Sequence, residues 1–315
     1  MSETELLLRE LFKSLPVQRL FFDFRLDSLS TFNAGGPADV LFLPESNQEI
    51  QTAVGICQKN EIPVQVLGRG SNILISDRGI RGLTIYLGRN FTKISQAGNI
   101  IKAQSGASLA ALNAMAAKSN LSGLEFCTGI PGSVGGAILM NASSYDGETK
   151  NVVFSSRYLS AEGEIKTLSL NEHQFGYRTS VYNNLPSVIL EAEYKLKPGK
   201  RLEIYGKIQE FQIKRRNSQP IDKQSAGSAF KRPPGNYASK LIADAGLKGY
   251  RAGNAGVSAK HAGFIINYGG ATASEINKVF EYVHNVVRDK FDVNLEPEVK
   301  WIGEWSEEEI QWKSS

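Results

Sequence analysis

Residues 129–136 read GIPGSVGG, with Gly129, Gly132, Gly135 and Gly136 set around Ile130, Pro131, Ser133 and Val134. So many glycines in so short a run make the stretch poor in helix and weak in sheet. A backbone without side chains is expected where another group comes close to it, and its amides can then converge on an anion. A second glycine-bearing segment, Gly68-Arg69-Gly70-Ser71-Asn72, follows the strand-like run at 63–67. Either segment alone reads equally as a tight turn. Both together, in one half of a chain, favour a phosphate-bearing ligand.

The familiar phosphate motifs do not account for these loops. After Gly68 and Gly70 the dinucleotide fingerprint needs a third glycine at position 73, which is Ile73, and no helix is expected to open there. The phosphate loop of the form GxxxxGK followed by Ser or Thr is absent from the sequence. A dinucleotide or flavin held in some other way is the remaining reading.

Bulk properties narrow the class. The 315 residues suffice for two or three domains, and 41% hydrophobic with 22% charged residues is ordinary for a soluble globular chain. The net charge of +4 is diffuse, and its densest cluster, Lys214-Arg215-Arg216, is too short for a nucleic-acid stripe. Cys57 and Cys127 lie far apart and form no disulfide framework or metal knuckle. His173, His261 and His284 show no i,i+4 pairing, so no metal site is expected. The opening residues lack the basic start of a signal peptide, and no apolar run reaches membrane-spanning length. The expectation is a cytoplasmic, reduced protein without membrane insertion, nucleic-acid partner or obligatory protein partner.

Along the chain, an amphipathic helix is predicted at about 3–14 and a short strand at 40–43 after the Gly35-Gly36-Pro37 turn. Ser46 and Glu49 form a capping box ahead of Ile50, Ala53, Val54 and Cys57, which share a helix face. Strands are predicted at 63–67, 82–88, 99–106 and within 152–196, and a helix over 108–120. Beyond residue 200 come a basic helix at about 202–216 and a helix at about 236–245. A second capping box, Thr272 with Glu275, opens a helix whose face is Ile276, Val279, Phe280, Val283 and Val287. The run 293–303 alternates and is predicted to be a closing strand, with Glu296 and Glu298 sharing one face. The mixed order indicates an α+β fold rather than regular βαβ winding.

Six segments in order carry a resemblance: TFNAGGPA (31–38), LGRGSNILISD (67–77), GLEFCTGIPGSVGGAILMNA (123–142), FGYRTS (175–180), AGSAFKRPPG (226–235) and LEPEVKW (295–301). Together they resemble the UDP-N-acetylenolpyruvoylglucosamine reductase (MurB) family over about residues 30–303. The resemblance implies a two-part FAD-binding unit of the vanillyl-alcohol-oxidase (PCMH) type, at 1–88 and 89–200, followed by an α+β substrate-binding domain at 201–315. It implies noncovalent FAD, NADPH as hydride donor and a small-molecule sugar nucleotide as substrate. The reaction so implied reduces an enolpyruvyl ether: hydride reaches the terminal methylene, charge spreads from the α-carbon into the carboxylate, and a proton completes the lactyl ether. The glycine loops, Gly68, Arg69, Gly70, Ser71 and Asn72 with Gly129, Ile130, Pro131, Gly132, Ser133, Gly135 and Gly136, would then lie along the FAD pyrophosphate.

By motif position, Arg178 of YRTS matches the arginine that holds the substrate carboxylate, for which a planar guanidinium fork is suited. Without the resemblance it reads as a surface cation at a strand end. Ser228 of AGSAF matches the proton donor, and otherwise reads as a small residue in a turn. Glu298 of EPEVKW matches the third active-site residue, where alternation alone would give a solvated face. Tyr177, Lys231, Arg232 and His261 are placed at the substrate in the same way.

The chain also departs from the family pattern. Ser218 stands where many members have a lysine for the substrate diphosphate, and Arg232 stands where others have asparagine and would supply the missing charge. NASSYD (141–146) replaces the usual NAGAYG. The short segment between Arg178 and Val188 resembles the subclass without the inserted tyrosine loop. The competing reading is a flavin-dependent sugar or alcohol oxidase of the same superfamily. Such enzymes often attach flavin covalently through histidine; no histidine precedes His173, which leaves Cys57 or Cys127.

Overall fold

The computed structural model describes residues 3–145 and 147–314. By contacts the chain divides into two units: Met1–Phe22, Val40–Arg69 and Gly82–Lys214 form one, and Asp23–Asp39, Gly70–Arg81 and Arg215–Ser315 the other. The grouping does not follow chain order, since two short early segments belong with the C-terminal part.

The first unit contains two hydrophobic clusters. One is built on the helix Asn47–Lys59, whose buried residues are the predicted Ile50, Ala53, Val54 and Cys57. Ser46 caps it by accepting from the Glu49 amide, while the Glu49 carboxylate reaches back to the amide of Glu45 rather than Ser46. Beside this helix Val64–Leu67 pairs in parallel with Leu83–Tyr86. The other cluster lies on an antiparallel five-stranded sheet ordered Ile165–Ser169, Val153–Ser160, Ser187–Lys195, Ile100–Gln104, Ile94–Ala97. The helices Leu109–Lys118 and Val134–Met140 complete it. Ser187–Lys195 joins the clusters: Val188 and Leu190 enter the first and Ala192 and Tyr194 the second, the change falling where its pairing with Val153–Ser160 shifts register, from Tyr158 opposite Ile189 to Arg157 opposite Glu191.

The second unit packs Ala273–Phe291 against the three-stranded sheet Arg251–Ala252, Ala255–Val257, Ile265–Asn267 and the helix Ala238–Asp244. The predicted face of the long helix is fully buried, and the Thr272–Glu275 capping box is formed. The helix start is held further by Asp77, whose two carboxylate oxygens each accept a backbone amide, from Ala273 and Ser274, at 2.8 Å. Phe32, Ala34 and Leu74 from the early segments join this core.

Two expectations are corrected. The second half of GIPGSVGG is helical, because Ser133 caps Val134–Met140 by accepting from the Gly136 amide at 3.3 Å. The closing strand is only Lys300–Ile302, paired in parallel with Ile73–Ile75. Before it, Pro297 makes an isolated antiparallel bridge to Phe230, whose bonds come from the neighbouring Lys231 and Glu298 amides and need no N–H at the proline.

Candidate active site

In the first unit the glycine stretch is folded onto its own surroundings. The amides of Val134 and Gly135 donate to the carbonyls of Ala107 and Ser105 at 2.9 and 2.8 Å, and Leu109 donates to the carbonyl of Gly132 at 3.0 Å. A Cβ on Gly135 would lie 2.9 Å from the Ser105 Cβ, and one on Gly68 would lie 2.3 Å from the Ser133 Oγ. A side chain at Gly135 would therefore force Ser105 aside, and one at Gly68 would displace the Ser133 hydroxyl from its bond with the Gly136 amide. Donors for an outside anion lie earlier in the stretch. The Ile130 amide is used on the carbonyl of Cys127, at 3.0 Å, whereas those of Arg69, Gly129, Gly132 and Ser133 meet no acceptor among the described residues. This donor set fits a pyrophosphate.

Arg178 sits on a tight turn. Gly176 and Thr179 exchange backbone hydrogen bonds at 3.1 and 3.5 Å, which leaves Tyr177 and Arg178 at the tip. Arg178 has φ +56°, a left-handed conformation uncommon for a residue with a side chain. Asn141, which ends the helix Val134–Met140, donates from its side chain to the Gly176 carbonyl at 3.0 Å and to Glu148 at 2.9 Å, and accepts the Lys150 amide at 3.0 Å. Arg178 Nη1 donates to the Ser143 Oγ at 2.7 Å, and the guanidinium carbon lies 5.4 Å from the centre of the exposed Tyr177 ring. Asp146, the last residue of NASSYD, lies outside the described residues.

The segment bearing the turn is tied down on both sides. Ser156 on the strand Val153–Ser160 is 2.6 Å from His173 Nε2 and 2.7 Å from the Tyr182 hydroxyl, and His173 Nδ1 is 2.7 Å from the Ser169 carbonyl. A carbonyl only accepts, so Nδ1 carries the proton and Nε2 accepts from Ser156, which in turn accepts from Tyr182. Burial pushes His173 below the usual histidine range and Tyr182 above the usual tyrosine range.

In the second unit Ser228 is exposed between buried Ala226 and Ala229. The Ala229 amide donates to Gly263 at 2.8 Å and its carbonyl accepts from the Glu298 amide at 2.9 Å, while Lys231 donates to the Glu296 carbonyl at 2.8 Å. These bonds bring the backbones around Ser228, Glu298 and the His261 loop together. His261 Nδ1 accepts from the Gly263 amide at 3.1 Å, and burial, with a smaller contribution from Lys248, lowers its pKa. Lys231 forms an ion pair with the exposed Glu296, whereas Glu298 is half-buried. Arg232 is exposed and stacks its guanidinium 3.8 Å from the centre of the Tyr237 ring.

Three features, two in the second unit and one in the first, are not visible in the sequence. Asn72 commits its side chain to the Glu298 carbonyl, at 3.1 Å, and its own carbonyl to the Lys300 amide, at 3.0 Å. Lys300 is held below the ordinary lysine range by burial and then by the charge of Lys231. Ser143 binds Arg178. Only the departure of NASSYD from the family pattern pointed towards any of them.

Cys57 and Cys127 are both buried, and burial pushes the Cys57 thiol up to about 12. A thiol so placed is not poised for covalent attachment of a flavin. No grouping of three or more metal-ligating side chains occurs among the described residues, nor is any helix there long and apolar enough to cross a membrane.

Comparison with known proteins covers nearly the whole chain. Residues 38–169 match the FAD binding domain family, and residues 219–302 match the C-terminal domain of UDP-N-acetylenolpyruvoylglucosamine reductase. A protein of that name from Clostridium botulinum (strain Alaska E43 / Type E3) is 44% identical over 298 residues, 95% of this chain and 97% of its own. One from Clostridium tetani is 48% identical over 276 residues, 87% of this chain and 89% of its own. The crystal structure of UDP-N-acetylenolpyruvylglucosamine reductase (MurB) from Thermus caldophilus superposes with a TM-score of 0.76 at 34% identity, covering 90% of this chain and 97% of that one. The fold is α+β, with an FAD-binding domain followed by a C-terminal domain of the reductase family.

Proposed function

The chain belongs to the UDP-N-acetylenolpyruvoylglucosamine reductase family, and from that premise we propose how its residues divide the work. The protein is an FAD-dependent oxidoreductase that uses NADPH to reduce the enolpyruvyl ether of UDP-N-acetylglucosamine enolpyruvate to UDP-N-acetylmuramate, a step of peptidoglycan precursor synthesis. It acts on a small-molecule sugar nucleotide, in the cytoplasm. The flavin, noncovalently bound, supplies the hydride-carrying chemistry between NADPH and substrate.

The amides of Arg69, Gly129, Gly132 and Ser133 would hold the pyrophosphate, and the rest of 68–72 and 129–136 would hold those amides in place through their own bonds to the protein. Arg178 grips the substrate carboxylate and stabilises the negative charge that spreads into it. The Ser228 hydroxyl gives its proton to the α-carbon, where a strong carbon base makes position matter more than acidity. Glu298 presents a hydrogen bond beside that transfer. Tyr177, Lys231, Arg232 and His261 line the substrate, and Arg232 offers the diphosphate the charge that Ser218 lacks. The observation that carries this reading is the pair of bonds at Ala229, which fix the backbones next to Ser228 and at Glu298 side by side.

Anaerobic stopped-flow absorbance of the flavin tests it. Ser228→Ala removes the hydroxyl with little change in volume, so bleaching by NADPH should keep its normal rate. Return of colour on adding the enolpyruvyl substrate should slow by about 10²–10⁴-fold. A rate of return within a few-fold of wild type would overturn the role of Ser228. Equal slowing of both phases would make its role structural.

A further inference from the structure

We propose that Ser143 is a positioning residue for Arg178, fixing the guanidinium in the orientation that receives the substrate carboxylate. The proposal rests on the assignment of Arg178 made above. Its basis is a charge-assisted hydrogen bond of 2.7 Å between Arg178 Nη1 and Ser143 Oγ, both ends of which stand on restrained backbone. On one side, Ser143 and Ser144 pair with Glu148 and Gly147 in a short antiparallel hairpin, and the neighbouring Ala142 carbonyl accepts from both the amide and the hydroxyl of Thr149 at 3.0 Å. On the other side, Arg178 occupies a left-handed conformation on a two-residue turn, which persists in a non-glycine residue only where the surroundings fix it.

Asn141 and Ser143, two residues apart, divide that task. Asn141 holds the turn's backbone through the Gly176 carbonyl, and Ser143 holds the side chain. An arginine has several freely rotating bonds, and its grip on a carboxylate weakens by whatever freedom it must lose on binding. A guanidinium carries five N–H donors, so committing one to Ser143 is compatible with a two-point grip on a planar carboxylate. The glycine found here in the NAGAYG pattern has no side chain to make this bond. In this chain the serine is thus a local device for preorganising the arginine.

A double-mutant cycle on the FAD-loaded protein tests the proposal. Ser143→Ala, Ser143→Gly, Ser143→Thr, Arg178→Ala and the Ser143→Ala/Arg178→Ala pair are compared by calorimetric titration with the enolpyruvyl sugar nucleotide, by both flavin half-reactions, and by thermal melting. Ser143→Ala and Ser143→Gly should weaken substrate binding about fivefold and slow substrate-driven reoxidation to a similar degree. The NADPH phase and the melting midpoint should not change. Ser143→Thr, which keeps the hydroxyl, should stay within about twofold of wild type. Adding Ser143→Ala to Arg178→Ala should change nothing further. Loss of binding that persists in the Arg178→Ala background, or no loss in the Ser143 single variants, would overturn the role of Ser143 and leave that of Arg178 standing. An Arg178→Ala protein with normal binding and reoxidation would instead remove the assignment of Arg178, and the proposal with it.

Discussion

The Arg178 turn and the Ser228 segment secure their polar groups by different means. Around Arg178 the ties are made by side chains: Asn141 to the turn carbonyl, Ser143 to the guanidinium, and His173 and Tyr182 to Ser156. Around Ser228 they are made by backbone, with Ala229 bonded to Gly263 and Glu298. Side-chain ties can be removed one at a time by substitution or by pH. Backbone ties survive most substitutions, so changes in the Ser228 segment should act on the chemistry of the altered group more than on its placement. The difference predicts graded sensitivity, greatest where the first unit is packed tightest and least at the exposed cations of the second.

The strongest break on the packed side is Gly135→Val. Its Cβ would meet the Ser105 Cβ at 2.9 Å and the Ser105 carbonyl oxygen at 3.3 Å, on the backbone that already accepts the Gly135 amide. The helix start must shift, at a cost of about 1–3 kcal/mol. Ser133 and Gly132 would move with it, so the purified protein should carry less flavin and melt earlier. Full flavin occupancy with an unchanged melting midpoint would show that this contact does not hold the loop.

A smaller effect should come from pH through His173. Protonated, His173 would offer Ser156 a donor where it now offers an acceptor, and the chain from Tyr182 through Ser156 would lose its terminus. Burial lowers its pKa from the ordinary 6.5. Above that value both folded and unfolded chains hold it neutral, and its contribution to stability is fully present. As pH falls below 6.5 the unfolded chain takes up the proton first, so stability declines until folded His173 also titrates. Melting measured from pH 8 to 5 should show that decline, and His173→Gln should flatten it. A profile identical in wild type and variant would exclude His173 as a contributor.

The parts of this architecture legible in the sequence are those written in local periodicity. Ser46 and Thr272 mark helix starts, and the spacing of Ile276, Val279, Phe280, Val283 and Val287 marks a buried face that the structure reproduces. The glycine stretch misleads because propensity is local. Gly135 and Gly136 disfavour helix on their own, but a Ser133 cap and contact with Ser105 supply what they lack. The closing strand misleads because alternation at 293–301 continues where the backbone makes only an isolated bridge, Pro297 with Phe230, and regular pairing starts at Lys300. The ties around the candidate residues join positions distant in sequence within each unit: Ser143 with Arg178 in the first, Asn72 and Ala229 with Glu298 in the second. No spacing rule encodes such pairs, and only the resemblance drew attention to Arg178, Ser228 and Glu298.

The smallest effect is expected at Arg232, on the exposed side of the comparison. Its guanidinium lies over the Tyr237 ring at 3.8 Å, and both residues are exposed. A solvated cation gains little from one anionic contact, because water and salt already screen it. If Arg232 supplies the diphosphate with the charge that Ser218 lacks, Arg232→Ala should raise the Michaelis constant for the sugar nucleotide by about two- to fivefold, corresponding to about 1 kcal/mol or less. NADPH-driven bleaching should be unaffected, and the increase should shrink at high salt. Ser218→Lys placed in the Arg232→Ala background should recover part of the loss, since it returns a cation to the position where many family members carry one. A constant unchanged by Arg232→Ala at low salt would show that the stacked arginine serves Tyr237 and not the substrate. A constant raised far beyond fivefold would show that Arg232 leaves the ring and is buried against the diphosphate when substrate binds.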